Sequence, residues 1–381
     1  MSNPNVYPGQ TIGILGGGQL GKMMALSAKE MGYRIAVLDP APYGPCAQVA
    51  DQHIQASFDD RKAVLQLAEV SEVITYEFEN VDLTLAQELE AKGKLPQGAN
   101  ALRITQDRIE EKRAMEEAGV PVAPYRVVQN PEELEGVVDE LGFPCVIKTT
   151  RGGYDGKGQL KLNSSKDLED GKAFVNVHPF CVVEAWLPFD QEVSVVMTRG
   201  EDGELELFPV PENQHEHHIL KRSIVPARIS ETLVEKARNA ARYIAEHLQF
   251  IGTFAVEMFV VGEEIYVNEM APRPHNSGHF TIEGCNVSQF DQHIRAICGL
   301  PLLKITRPYA SVMTNLLGEE VSKVIQDKRY FQGAHVHLYG KDKVTEKRKM
   351  GHVTVTGNSL DEALEKAEVF NFSEVLINQK G

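Results

Sequence analysis

The chain has 381 residues, 42% apolar and 24% charged, with a net charge of −15. That length predicts two or three globular domains. The negative charge argues against general affinity for nucleic acid or an anionic membrane, so an anionic ligand must be held by a few placed cations and backbone amides. Five scattered cysteines (46, 145, 181, 285 and 298) contain no C-x-x-C pair and read as reduced thiols of a cytoplasmic protein. No apolar run approaches the roughly 18 residues of a membrane span, and no signal peptide opens the chain.

The first hundred residues alternate strand and helix. TIGIL, RIAVLD and VITYE read as strands, and GKMMALSAKEMG, RKAVLQLAEV and LTLAQELEAKG as helices. This alternation predicts right-handed βαβ units on a parallel sheet. The stretch GILGGGQLG (13–21) places Gly16, Gly18 and Gly21 in the G-x-G-x-x-G pattern, and Asp39 ends the next strand. Every element of an NAD fingerprint is present, and a helix N-terminus there offers amides to a phosphate. A dinucleotide fold needs roughly six strands, however, and only about four precede a change of texture.

After Pro96 the segment ITQDRIEEKRAMEEAG reads as one long charged helix. The short strands FPCVIKTT, QLKL, FCVVEAWL and EVSVVMTRG then predict an α+β unit around glycine-rich loops. Lys148 ends an apolar strand just before RGGYDGKGQ (151–159). Burying it requires an anionic partner, and a glycine-rich hairpin loop can fold its amides over a triphosphate. In CVVEAWLP the strand edge around Glu184, beside Trp186 and Leu187, suits a purine. Glu192 could accept ribose hydroxyls or simply start a strand in water.

The helix LVEKARNAARYIAEHL precedes two strands, GTFAVEMFVV and EIYVNEMAP. If residues 262–264 form a three-residue hairpin loop, Glu257 pairs across from Glu269. Two carboxylates that close repel unless a cation sits between them, and Mg²⁺ favours oxygen ligands shared with substrate phosphates. A slipped register would instead send one glutamate outward. APRPHNSGH follows at once. The two prolines stiffen the backbone around Arg273 and aim its guanidinium, giving a rigid polar turn suited to a small oxyanion. Short β-rich stretches, GAHVHLYGK and GHVTVTG, fill the last 80 residues.

Together these residues resemble the ATP-grasp superfamily of carboxylate-amine ligases over the whole chain. Within it they are most similar to the N5-carboxyaminoimidazole ribonucleotide synthetase family. GILGGGQLGKMM, TYEFENV, KTTRGGYDGKGQ, EAWLPFDQEVSVV, NEMAPRPHNSGH and YGK…KRKMGH fit in order and spacing. The resemblance implies a Rossmann-like domain at 1–107, an ATP-grasp domain at 108–300 with a lid at about 120–187, and a β-rich C-terminal domain at 301–381. It implies ATP-dependent carboxylation of 5-aminoimidazole ribonucleotide by bicarbonate, in purine biosynthesis, by a cytoplasmic homodimer using Mg²⁺ or Mn²⁺.

Carried onto this sequence, the resemblance places Arg108 and Lys148 on ATP phosphates. It places Gly153, Tyr154, Asp155, Gly156, Lys157, Gly158 and Gln159 over the triphosphate. Glu184, Ala185, Trp186 and Leu187 hold adenine, Glu192 the ribose, and His215 borders the nucleotide. Glu257 and Glu269 hold the metal, with Asn268 alongside. Arg273, His275 and Asn276 surround bicarbonate, and Tyr154 lies between the loop and the acceptor. The first glycine turn then serves the acceptor ribonucleotide through the amides of Gln19 and Leu20, with Glu77 meeting it. Lys341, Arg348 and Lys349 bring charge to its 5′-phosphate, although on pattern alone that basic run is equally a solvated face. Glu77 and His275 are candidate proton acceptors. A formate-dependent glycinamide ribonucleotide transformylase, a non-catalytic nucleotide sensor and an NAD-dependent oxidoreductase are the rival readings.

Overall fold

The protein is described by a computed structural model covering residues 5–153 and 157–372. Strands β1 (Thr11–Leu15), β2 (Arg34–Leu38), β3 (Gln52–Ile54) and β4 (Val73–Tyr76) form a parallel sheet in the order β3-β2-β1-β4. Ile12, Ile14, Ile35, Val37 and Ile74 are fully buried, as a sheet covered by helices on both faces requires. β3 is too short to show a period in the sequence. Order reverses beside β1, so the crevice at the carboxyl ends of β1 and β4 is where such a sheet receives a ligand. The glycine turn and Glu77 stand there.

The expected single helix at 104–119 is two. Asn100–Thr105 ends, and Arg108–Glu117 begins after Asp107, whose carboxylate accepts from the amides of Ile109 and Glu110. This N-cap breaks the run and makes Arg108 the first residue of a new helix.

A second sheet is antiparallel, β5 (Tyr125–Val128), β6 (Cys145–Thr149), β7 (Gln159–Leu162) and β8 (Cys181–Ala185), in the order β5-β8-β6-β7. Leu134 and Val138 from one helix and Val175 from another close its inner face.

The third sheet has nine strands among the described residues. These are β9 (Gln191–Arg199), β10 (Leu205–Leu207), β11 (Glu212–Glu216), β12 (Ile219–Val225), β13 (Gly252–Val261), β14 (Glu264–Ala271), β15 (Ala310–Leu317), β16 (His335–Leu338) and β17 (Lys349–Gly357). They run β14-β13-β9-β11-β12-β15-β17-β16, with β10 beside β9. The helix Glu231–Leu248 lays Leu233, Ala237, Ala241 and Ile244 on Val195, Met197, Phe254 and Val256, at the spacing of one helical face. The late β-rich stretches therefore do not form a detached sheet. β15 pairs with β12, so they extend the sheet that carries the hairpin acids.

Candidate active site

The glycine turn is closed by its own carboxylates. Gly17 N donates to Asp39 Oδ2 at 2.6 Å, Gly21 N donates to Glu77 Oε2 at 2.7 Å, and Gly18 N donates to Glu77 Oε1. A Cβ at Gly17 would meet Asp39 Cβ at 2.7 Å, and one at Gly18 would meet Glu77 Oε1 at 2.5 Å. The glycines thus admit two internal acids, and the amides an NAD pyrophosphate would need are taken. Burial pushes the Glu77 carboxyl above its ordinary range, against the pull of the two amides. Glu77, the acid expected to meet the ribonucleotide, lines the open cleft with Gln19 and Leu20 while its oxygens accept the turn amides.

Glu257 on β13 lies directly opposite Glu269 on β14. The expected register is present but arises differently. The turn has two residues, Gly262 and Glu263, with Val261 opposite Glu264, which alone would set Glu257 against Asn268. A bulge at Asn268 restores the pairing by one residue. Opposed residues share a face. Burial pushes Glu269 up and the charge of Glu257 adds to it, while Arg108 and Lys148 pull the other way. Burial also raises Glu257, but His275, whose Nε2 lies 2.9 Å from its Oε1, together with His215 and Lys349 outweighs that and brings it to about 2. Asn268 Oδ1 is buried without a hydrogen bond in the chain. This all-oxygen set fits a hard divalent cation. Glu192, His215 and Glu257 also bring ligand atoms within 4.8 Å of one another. There His215 Nδ1 lies 3.2 Å from Glu192 Oε2; burial lowers its pKa, but Glu192 and Glu257 raise it more.

Lys148 has the anionic partner its position demands. Its Nζ donates to Glu184 Oε2 at 2.9 Å, and buried Lys112 approaches Oε1 at 3.6 Å. Burial would raise Glu184, yet Lys148, Lys112 and Arg108 hold it down at about 2. The Glu184 side chain, expected beside adenine, lines the cleft and fixes Lys148 there. Trp186 carries Lys161 Nζ 3.5 Å above its ring, and the stacked rings of Phe189 and Phe259 (4.6 Å, 15°) stand nearby in the cleft.

The helix opened by Asp107 turns Arg108, Glu111 and Lys112 inward. Arg108 Nε and Nη1 are buried with no hydrogen-bond partner in the chain, two donors on different sides of the guanidinium that an anion in the cleft could satisfy. Burial pushes Glu111 up to about 8, with Glu269 adding to the effect of burial and Arg108 and Lys112 opposing it. Its Oε1 accepts the Met270 amide at 2.7 Å, which pins β14 to this helix. Sequence reasoning missed Glu111 and Lys112; the signal was charge at i, i+3 and i+4 from Arg108 on a helix read only as long and charged.

In the turn after β14, His275 Nδ1 bonds Ser277 Oγ at 2.8 Å, and Gln289 Nε2 donates to the His275 carbonyl at 2.7 Å. Asn276 presents an amide with neither atom bonded. Arg273 Nη2 contacts Glu79 Oε1 at 2.6 Å. Glu79 is a third residue the sequence reading passed over.

One cleft of about 900 Å³ joins these groups. It runs from Gln19, Leu20 and Glu77, past Arg273, His275 and Asn276, to Trp186, Leu187, Glu192 and His215. Gly153, Lys157, Gln159, Ala185 and Lys349 also line it; Gly158, Lys341 and Arg348 do not. Lys341 Nζ donates to the Lys349 carbonyl at 2.6 Å, and burial, aided by Arg348, lowers its pKa to about 8. Arg348 is exposed and donates to the Lys343 carbonyl. Tyr154, Asp155 and Gly156 lie outside the described residues.

Known protein families and structures match this chain over most of its length. Residues 9–106 match the ribonucleotide synthetase preATP-grasp domain, 113–290 the ATP-grasp domain, and 311–366 the phosphoribosylaminoimidazole carboxylase C-terminal domain. The N5-carboxyaminoimidazole ribonucleotide synthase of Bacillus subtilis is 48% identical over 367 residues, 96% of each chain. The Staphylococcus aureus N5-carboxyaminoimidazole synthetase structure complexed with ADP superposes with a TM-score of 0.92 at 43% identity, covering 96% of this chain and 98% of that one. An Aspergillus clavatus N5-carboxyaminoimidazole synthase in complex with ADP and 5-aminoimidazole ribonucleotide gives 0.88 at 34% identity, covering 94% and 96%. On its fold, its cleft and these relatives, the chain belongs to the N5-carboxyaminoimidazole ribonucleotide synthase family of ATP-grasp ligases.

Proposed function

We propose that the cleft carries out the family's reaction, the ATP-dependent carboxylation of 5-aminoimidazole ribonucleotide, with bicarbonate as the carbon source. The observation that carries this is the single cleft in which the hairpin acids separate an acceptor end at Gln19 and Leu20 from a nucleotide end at Trp186 and Glu192. The domains divide at 107/108 and 300/301, with a lid at about 120–187.

In this reading Trp186 and Leu187 seat adenine, aided by the Phe189–Phe259 stack, and Glu192 with His215 takes the ribose. Arg108 and Lys148 neutralise the triphosphate, and the glycine loop from Gly153 to Gln159 covers it. Glu257 and Glu269, with Asn268, would hold Mg²⁺ or Mn²⁺, which would supply neutralisation of the phosphate charge. A bicarbonate oxygen attacks the γ-phosphorus, breaking the bond to the β-γ bridging oxygen and giving ADP and carboxyphosphate. Arg273, His275 and Asn276 hold the carboxyl end. The exocyclic amine of the ribonucleotide then attacks the carboxyl carbon and displaces phosphate, or attacks CO₂ after phosphate has departed; in either case the amine gives up one proton, which the released phosphate takes up. Catalysis is positioning and charge neutralisation, so no nucleophilic side chain is required. All five cysteines are buried and free, which fits the absence of a thiol role and a reducing, cytoplasmic setting. Among the described residues no helix is long and apolar enough to cross a membrane. A homodimer follows from the resemblance.

Steady-state ADP release tests the reading. It should require both bicarbonate and 5-aminoimidazole ribonucleotide. Dependence on formate and glycinamide ribonucleotide would move the assignment to the transformylase.

A further inference from the structure

Arg273 is held by an acid from a different sheet. Glu79, three residues beyond the end of β4, places Oε1 2.6 Å from Nη2 of Arg273. The hold is partial. Nη1 donates to the Pro274 carbonyl at 3.1 Å, and Nε is buried with no partner. The Nε–Nη2 edge is the side of a guanidinium that grips an oxyanion through two parallel hydrogen bonds. Glu79 uses half of that edge and blocks the rest from bidentate use. Its side chain keeps 26% of its exposure and lines the cleft, so it has room to swing away.

We propose that Glu79 is a specificity-determining placeholder: its carboxylate occupies the Arg273 edge that bicarbonate must take, so only an anion that grips the edge with two oxygens displaces it. The inference rests on the reading above that Arg273 holds bicarbonate. Glu79 belongs to the acceptor-binding sheet and Arg273 to the turn after the metal strand. The exchange therefore links anion entry to the state of the acceptor end. While Glu79 is bound, only a fraction of the enzyme is competent for bicarbonate, and the apparent affinity is lowered by that fraction.

The test is steady-state kinetics on Glu79→Gln and Glu79→Asp, with Arg273→Ala as the reference. Replacing the charged acid by its amide should lower KM for bicarbonate by about three- to tenfold, the range a displaced, partly exposed ion pair allows. ATP hydrolysis without the ribonucleotide should rise in parallel, because anion entry is no longer tied to the acceptor end. Glu79→Asp keeps the charge on a shorter arm and should shift KM the same way by less. A merely structural role would lower kcat and leave the bicarbonate KM and the acceptor-free hydrolysis where they were. If Arg273→Ala raises the bicarbonate KM while both Glu79 variants leave it unchanged or raise it, the placeholder role is overturned and the reading of Arg273 stands. If Arg273→Ala leaves it unchanged, that reading fails and takes the placeholder with it.

Discussion

Replacing Glu269 with glutamine separates what the hairpin acids do for catalysis from what they do to the fold. The two carboxylates face each other across β13 and β14, and Glu269 is raised by burial and then by Glu257. Opposed residues hold their Cβ atoms about 5 Å apart. Two unit charges at about 5 Å and an effective dielectric near 20 repel by about 3 kcal/mol. Without metal or nucleotide the variant should therefore be more stable than the parent, by up to that amount, and melt a few degrees higher at neutral pH. The sign follows from the direction of the shift: a carboxyl raised in the folded state costs stability above its unfolded pKa, and the amide removes that cost. Catalysis should move the opposite way. Loss of one charged oxygen ligand should lower kcat by about 10²- to 10³-fold, or about 3–4 kcal/mol in the barrier. Calorimetry with and without Mg-ATP, paired with ADP release, reads both effects. A variant with near-normal turnover, or one that melts lower than the parent without ligand, would show that these acids do not share a cation.

Glu184→Gln leaves Lys148 and Lys112 buried without their anion, and should cost about 3–5 kcal/mol by chemical denaturation at neutral pH. Glu184 and Glu257 are both depressed to about 2 from an ordinary 4.5. Their contribution is complete above about pH 4.5 and is lost as pH falls towards 2, so melting temperature should drop across that window, less steeply in Glu184→Gln. Trp186 is the only tryptophan and stands in the nucleotide end of the cleft. Its emission should change saturably with ATP or ADP and stay constant with the ribonucleotide alone; a flat nucleotide titration would remove adenine from that place. Gly18→Ala drives a methyl to 2.5 Å from Glu77 Oε1 and should destabilise the first domain by about 1–3 kcal/mol. KM for the ribonucleotide should rise while KM for ATP holds.

What the sequence by itself determined was whatever a short window encodes. β1 and β13 have the limits their β-branched runs predict, and the helix 231–248 follows from its single apolar face. The motifs named most of the cleft, because glycine turns, a strand-end lysine and acids inside apolar strands are costly unless they serve a ligand. Tertiary structure decided the pairings. Which acid fills the glycine turn, which acid fixes Lys148, and which one waits on Arg273 all join residues dozens of positions apart or more. Asp107 turned one charged stretch into two helices, and a single bulged asparagine brought Glu257 opposite Glu269. The physical reason is range. Propensity and periodicity act over a few residues along the chain, whereas a buried charge takes its partner from whatever the folded sheets bring within about 4 Å.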